Sequence, residues 1–292
     1  MARPLIRRGF LQGALSLAAM LIFGKIVPAQ ARHEEGGVAQ VFTKEIVMLH
    51  GASEGGWCFD PFRAVFEGLG WTCHTPDLIG HGEDAVDADR RLVGVGMAQY
   101  LSQMRDFLQT FASPPVLLGH SLGAVLAQQL AASGLTRALI LVSPAPRAGI
   151  LPATDAERQL ALDLMTLGPF WSSIIKPDFD LACIYSLNRV PPGERRAIFD
   201  RFGPESGRAY FELFFWIFDQ TEATVVDTAA VRCPVLCLSG DDDKLISMAT
   251  ARAAAAAFRT TEFWELAGHG HMLPVEPGAE AIARRIARWI PV

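Results

Sequence analysis

The sequence predicts an α/β domain built on a mostly parallel, doubly wound sheet of about six strands. Short β-branched and aliphatic runs alternate with longer Ala/Leu/Gln-rich stretches. Continuous apolarity across a short run marks a strand buried on both faces, as parallel strands are, and strand–helix alternation marks crossover units. The 292 residues suit one large α/β domain or two small ones, with enough chain to bury a core without staples.

The N-terminal stretch reads as an export signal. Arg7 and Arg8 precede an apolar run of 13 residues, 11–23, and Lys25 follows it. A spanning helix needs about 20 residues, so the run is short for one. Pro28-Ala29-Gln30-Ala31 then offers the small-x-small site a signal peptidase cuts after. Arg7-Arg8-Gly9-Phe10-Leu11 resembles the twin-arginine consensus, whose cargo crosses the membrane folded. A general secretory signal or a retained anchor is the alternative. The expected division is 1–31 as signal and 32–292 as the folded domain, exported to the periplasm or beyond.

Strands are expected at 45–49, 71–75, 115–119, 138–143, 234–239 and 261–266. Helices are expected between them at 59–68, 94–111, 122–133, 249–258 and 278–289. From about 147 to 228 no strand is evident. That stretch is helical in pattern, punctuated by Pro, and holds twelve of the chain's 27 aromatic residues. An insertion of this size between two strands reads as a helical cap over the sheet's active end.

Composition excludes several classes. Lys and Arg number 26 against 31 Asp and Glu, a net charge of −5, so no basic surface for nucleic acid is indicated. A 50% hydrophobic content excludes disorder. Five cysteines exclude a disulfide scaffold; Cys233 and Cys237 read as small hydrophobes, while Cys58 and Cys73 could pair in an oxidising compartment. The mean hydropathy of +0.24 is attributed to the signal, the buried sheet and the apolar insertion, not to a membrane domain.

Chemistry concentrates at Gly119-His120-Ser121-Leu122-Gly123, a G-x-S-x-G pattern between the strand at 115–119 and the helix at 122–133. Small residues on both sides permit the sharp backbone that exposes a nucleophilic hydroxyl, and the helix N-terminus favours negative charge there. Ser121 is the expected nucleophile. A second strand ends in His50-Gly51-Ala52 and a glycine-rich turn able to present a backbone N–H to a carbonyl oxygen.

HGASEGGWCF, TPDLIGHGED, GHSLGA, SGDDDKLIS and AGHGHML, in that order, resemble the α/β-hydrolase superfamily. The direct start on the strand before His50-Gly51 and the wording around Trp57-Cys58 are most similar to its small esterases, plant-type methylesterases and hydroxynitrile lyases. The resemblance implies an oxyanion hole from the N–H groups of Ala52 and Leu122, with His50 and His81 structural. It places the acid at Asp243, the last of three adjacent aspartates; the other two would cap the following helix or face solvent. It places the base in the loop after the last strand, where Gly268-His269-Gly270-His271 offers two candidates. His271 is preferred, with Met272 as the apolar follower and Glu276 at an acidic position common in the family. His269 remains the alternative, and a His-x-His metal site lacks a third ligand histidine at suitable spacing.

The expected function is cleavage of carboxylic esters of apolar or aryl small molecules through an acyl-enzyme, with no cofactor and no metal. Its partners would be the ester substrate and, through the signal, the twin-arginine export machinery. Hydroxynitrile-lyase-like or cofactor-free perhydrolase chemistry, or ligand binding without catalysis, are the alternatives.

Overall fold

A computed structural model of the chain describes residues 43–82 and 87–291, so the expected signal at 1–31 lies outside the described residues. In chain order the strands are β1 (Glu45–Leu49), β2 (Thr72–His74), β3 (Val116–His120), β4 (Ala138–Val142), β5 (Ile174–Ile175), β6 (Glu205–Ser206), β7 (Val235–Gly240) and β8 (Thr261–Leu266). The helices are α1 (Asp60–Gly68), α2 (Ala88–Leu92), α3 (Met97–Leu108), α4 (Leu122–Ala132) and α5 (Asp155–Met165), then α6 (Phe179–Tyr185), α7 (Pro192–Phe199), α8 (Gly207–Phe214), α9 (Met248–Ala256) and α10 (Ala279–Trp289).

The six main strands form one sheet in the order β2-β1-β3-β4-β7-β8, every pair parallel. This is the doubly wound sheet the alternating pattern predicts. β1, β3, β4 and β7 are buried along nearly their whole length, which is why their text shows no polar alternation. On one face Val47, Leu49, Leu117, Leu139 and Leu141 pack with α3 and α4 residues such as Tyr100, Met104, Val125 and Leu126. On the other, Ile46, Met48, Leu118, Ile140 and Leu238 meet Phe62 and Phe66 of α1 and Ile282 and Ile286 of α10. Each such side chain removed from water contributes about 1.5–3 kcal/mol, so the two apolar layers dominate the stability of the sheet.

The chain leaves β1 for β2 on one side and returns to β3 on the other. That reversal opens a crevice at the carboxyl ends of β1 and β3, the place where open α/β sheets bind ligands. The turns after these two strands are the ones carrying Ala52 and Ser121.

The segment between β4 and β7 holds α5 to α8 and also β5 and β6, an antiparallel pair of two residues each. The expectation of a strandless 147–228 is therefore corrected. Two-residue strands carry no readable period, and the pair is set by backbone contact: the Gly207 N–H donates to Ser173 C=O at 2.9 Å, and a side chain at Gly207 would collide with Phe170 C=O. Three buried glutamates fasten this segment to the sheet domain. Glu157 of α5 accepts from the Ser247 N–H at 2.7 Å, at the start of α9; Glu212 of α8 accepts from the Met97 N–H at 2.6 Å, at the start of α3. Glu205 of β6 reaches the Ser53 N–H at 3.3 Å. Carboxylates suit the orphan N–H groups and positive dipole ends of helices.

All five cysteines are free, so Cys58 and Cys73 do not pair. Cys237 is buried, with its thiol against Ala251 C=O, as a small hydrophobe should be. Among the described residues no helix is long and apolar enough to cross a membrane.

Candidate active site

Ser121 stands between β3 and α4 with φ 48° and ψ −117°, a conformation L-residues with a side chain rarely adopt. Its N–H is held by Val142 C=O at 3.1 Å, and its C=O accepts from the N–H groups of Ala124 and Ala145. Glycine is required on both sides for a measurable reason. A Cβ at Gly119 would lie 2.4 Å from Gly123 O, and one at Gly123 would lie 2.2 Å from Leu49 O. The strand, the helix and the end of β1 approach too closely for any side chain there.

The turn after β1 is wedged against this elbow. A Cβ at Gly51 would stand 3.0 Å from the Ser121 Cβ, so the two turns are neighbours in space. Ala52 belongs to the first turn, and Leu122 is the first residue of α4. Among the described residues neither the Ala52 nor the Leu122 N–H is donated to a protein acceptor. Both amides therefore sit, without a protein acceptor, in the two turns that meet beside Ser121.

The two loop histidines have separate carboxylates. His271 is buried, and its Nδ1 lies 2.9 Å from Asp243 Oδ2. The other oxygen of Asp243 accepts from the N–H groups of Leu245 and Ile246 at 2.9 and 2.8 Å. An ionised carboxylate only accepts, so His271 donates through Nδ1 and keeps Nε2 available as a base. His269 is partly exposed and pairs through Nδ1 with Glu276 at 3.1 Å, a carboxylate that also accepts from the Gly270 N–H. The neighbouring aspartates do other work. Asp241 accepts from the Gly268 N–H at 2.7 Å, and Asp242 pairs with Arg189 and Lys244. Neither caps the following helix, which Ser247 does by accepting from the Thr250 N–H; of the two places expected for them, Asp241 takes the solvent-facing one.

Three more histidines surround the site, each in a state set by its partners. His50 Nε2 accepts from the Leu78 N–H at 3.0 Å, and Nδ1 meets Gly51 C=O at 2.8 Å, so the ring is neutral. Burial, together with the charge on nearby His81, holds it down at about 4. His81 bridges two acceptors, Ile79 C=O at 3.1 Å and Glu205 at 3.0 Å, which requires a proton on each nitrogen. Burial alone would favour the neutral ring, but the Glu205 carboxylate raises it. Tyr100 donates to the same carboxylate at 2.8 Å. His120 likewise spans Glu54 and His271 C=O, both at 3.0 Å. Burial opposes ionising Glu54, yet the His120 charge and hydrogen bond carry its carboxyl down to about 2.

Glu54, His120, Glu205 and Tyr100 are the residues that reading the sequence missed. The one local signal was a glutamate beside two glycines in Ser53-Glu54-Gly55-Gly56, directly after the turn that carries Ala52.

A parallel sheet, a strained serine elbow at its switch point and a buried histidine–aspartate pair together define a hydrolase-type α/β protein. Residues 46–285 match the family described as "Alpha/beta hydrolase family", and the chain belongs to that family. It is similar to a pyrethroid hydrolase of Sphingobium wenxiniae, 35% identical over 89 residues, which are 30% of this chain and 30% of the relative. The match thus spans less than a third of that relative's length. Among solved structures, a methylesterase from Arabidopsis superposes with TM-score 0.63 at 16% identity, covering 84% of this chain and 98% of that one. A pyrethroid hydrolase from Sphingobium faniae JZ-2 gives TM-score 0.62 at 23% identity, covering 85% and 97%. At such identities the structures share the fold.

Proposed function

We propose that the protein is a serine esterase acting on carboxylic esters of apolar or aryl small molecules. The observation that carries the reading is the strained Ser121 elbow together with the His271–Asp243 pair. In this reading Ser121 Oγ attacks the ester carbonyl carbon while His271 Nε2 takes its proton. The oxyanion rests on the Ala52 and Leu122 N–H groups. The tetrahedral intermediate collapses, the C–O bond to the alcohol breaks, and His271 returns the proton to the leaving oxygen. Water, deprotonated by His271, then attacks the acyl-serine and frees the acid and the hydroxyl. The names of the similar hydrolase and methylesterase support ester cleavage.

The segment 147–228 is proposed as the cap that shapes substrate choice. Its support is its place in the chain between β4 and β7, with Leu160, Leu164 and Phe214 set beside Leu245 and Ile246 of the loop that carries Asp243. Residues 1–31 are proposed as a twin-arginine signal, which N-terminal sequencing of protein recovered from the periplasm would test by a start at Arg32.

The deciding experiment is labelling with a fluorophosphonate probe, combined with turnover of p-nitrophenyl esters of increasing acyl length. The expected result is one label on Ser121, lost in Ser121→Ala, with turnover lost alongside it. Wild-type protein that neither labels nor turns over any ester of the series overturns the reading.

A further inference from the structure

The structure assigns to Glu54 and His120 a positioning role: a buried pair that ties the oxyanion turn, the nucleophile elbow and the base loop into one unit. The inference rests on the serine esterase reading and goes beyond it.

The three loops that would supply the oxyanion hole, nucleophile and base come from distant parts of the chain. The Glu54–His120 pair touches all three. Glu54 Oε2 accepts from the Gly51 N–H at 3.0 Å, across the turn that carries Ala52. The same oxygen meets His120 Nδ1 at 3.0 Å, and His120 is the last residue of β3, directly before Ser121. His120 Nε2 donates to the backbone C=O of His271 itself at 3.0 Å. The His120 and His271 rings stand 5.0 Å apart, and both pair members are sealed from solvent.

Packing leaves the pair no slack. A Cβ at Gly51 would press on Glu54, His120 and the Ser121 Cβ together, so the glycine is seated among all three. A buried charge pair survives only when its remaining hydrogen-bonding capacity is met. Here the Gly51 N–H and the His271 C=O provide that together with the Cys58 thiol, so two of the groups that settle the pair are backbone atoms of the loops it holds. A shift of about 1 Å in such a loop can cost on the order of a hundredfold in rate. Moving His271 C=O by that amount would carry the imidazole with it. Neither residue is placed to touch the reacting atoms; the pair acts through His271 and the turn.

Two substitutions separate the two ends of the imidazole. In His120→Gln the side-chain amide can reach the position of Nε2 and still donate to His271 C=O. In His120→Asn the amide reaches only the position of Nδ1, keeping Glu54 and losing His271. Expected with p-nitrophenyl acetate is a kcat lower by about a hundredfold in His120→Asn and by less than about tenfold in His120→Gln, with KM unchanged within about twofold in both. A merely structural role would lower thermal stability in both variants and leave their kcat values alike. The second readout does not depend on ester turnover: the low-field proton resonance of the His271–Asp243 hydrogen bond should persist in His120→Gln and be lost to exchange in His120→Asn. Equal kcat losses in the two variants, a loss confined to KM, or an unchanged resonance in His120→Asn overturns the assignment. Failure of the esterase reading looks different, as wild-type protein without turnover, and there the resonance alone decides.

Discussion

His271 and Asp243 meet at 2.9 Å in a sealed setting, whereas His269, two residues earlier in the same loop, turns away to Glu276. Two histidines that look interchangeable in the text thus belong to different carboxylates. His271→Ala should lower ester turnover by about 10⁶-fold, and His269→Ala should retain activity within about tenfold of wild type. Steady-state kinetics on a p-nitrophenyl ester decides it, and the opposite ranking would transfer the base to His269.

Strain at the nucleophile leads to a second expectation. Ser121 is held at φ 48° by the elbow, a cost of order 1–3 kcal/mol that glycine largely avoids. Ser121→Gly should be inactive yet more stable, by a net amount on the order of 1 kcal/mol after the added freedom of the unfolded chain is counted. Urea unfolding of the two proteins measures this, and a less stable variant would contradict the strain argument.

The elbow glycines can be ranked in the same way. Gly123→Ala forces a methyl onto Leu49 C=O and should cost about 3 kcal/mol or more. Gly193 in α7 faces open space with nothing within 4 Å, so Gly193→Ala should be neutral or gain about 0.5 kcal/mol. Thermal melts of both variants test the contrast.

The buried ion pairs predict how stability follows pH. Glu54, held at about 2 against an ordinary 4.5, stabilises the fold fully above pH 4.5, and this is lost as the pH falls toward 2. The shift corresponds to about 3 kcal/mol. His81 and His120, raised above 6.5, contribute fully below pH 6.5 and lose that contribution as the pH climbs through their raised values. His50, lowered to about 4, has the opposite sign: its contribution is present above pH 6.5 and is lost as the pH falls toward 4. Glu54→Gln should therefore show a shallower fall in Tm than wild type between pH 4.5 and 2. Parallel curves would rule out the ionised pair.

Much of the architecture was legible in the residues. Strands such as 45–49 and 261–266 stand where continuous or alternating apolarity puts them, because burial on one face or two imprints itself on neighbouring residues. The elbow was legible in part for a related reason: Gly119 is demanded by backbone contacts within one strand–turn–helix unit, whereas Gly123 is demanded by Leu49 and His50 at the remote end of β1. β5 and β6 were not legible, being too short to carry a period.

By itself the sequence determined the parallel sheet, the serine at its switch point and the short set of candidate acids and bases. Tertiary structure decided which histidine meets Asp243, and that His81 and His120 carry a charge while His50 does not. Those states depend on partners far away in the chain, Glu205 for His81 and the His271 carbonyl for His120. Periodicity is a property of adjacent residues. A proton's place is set by whichever acceptors the crossovers bring to the ends of neighbouring strands, and no local pattern encodes that meeting.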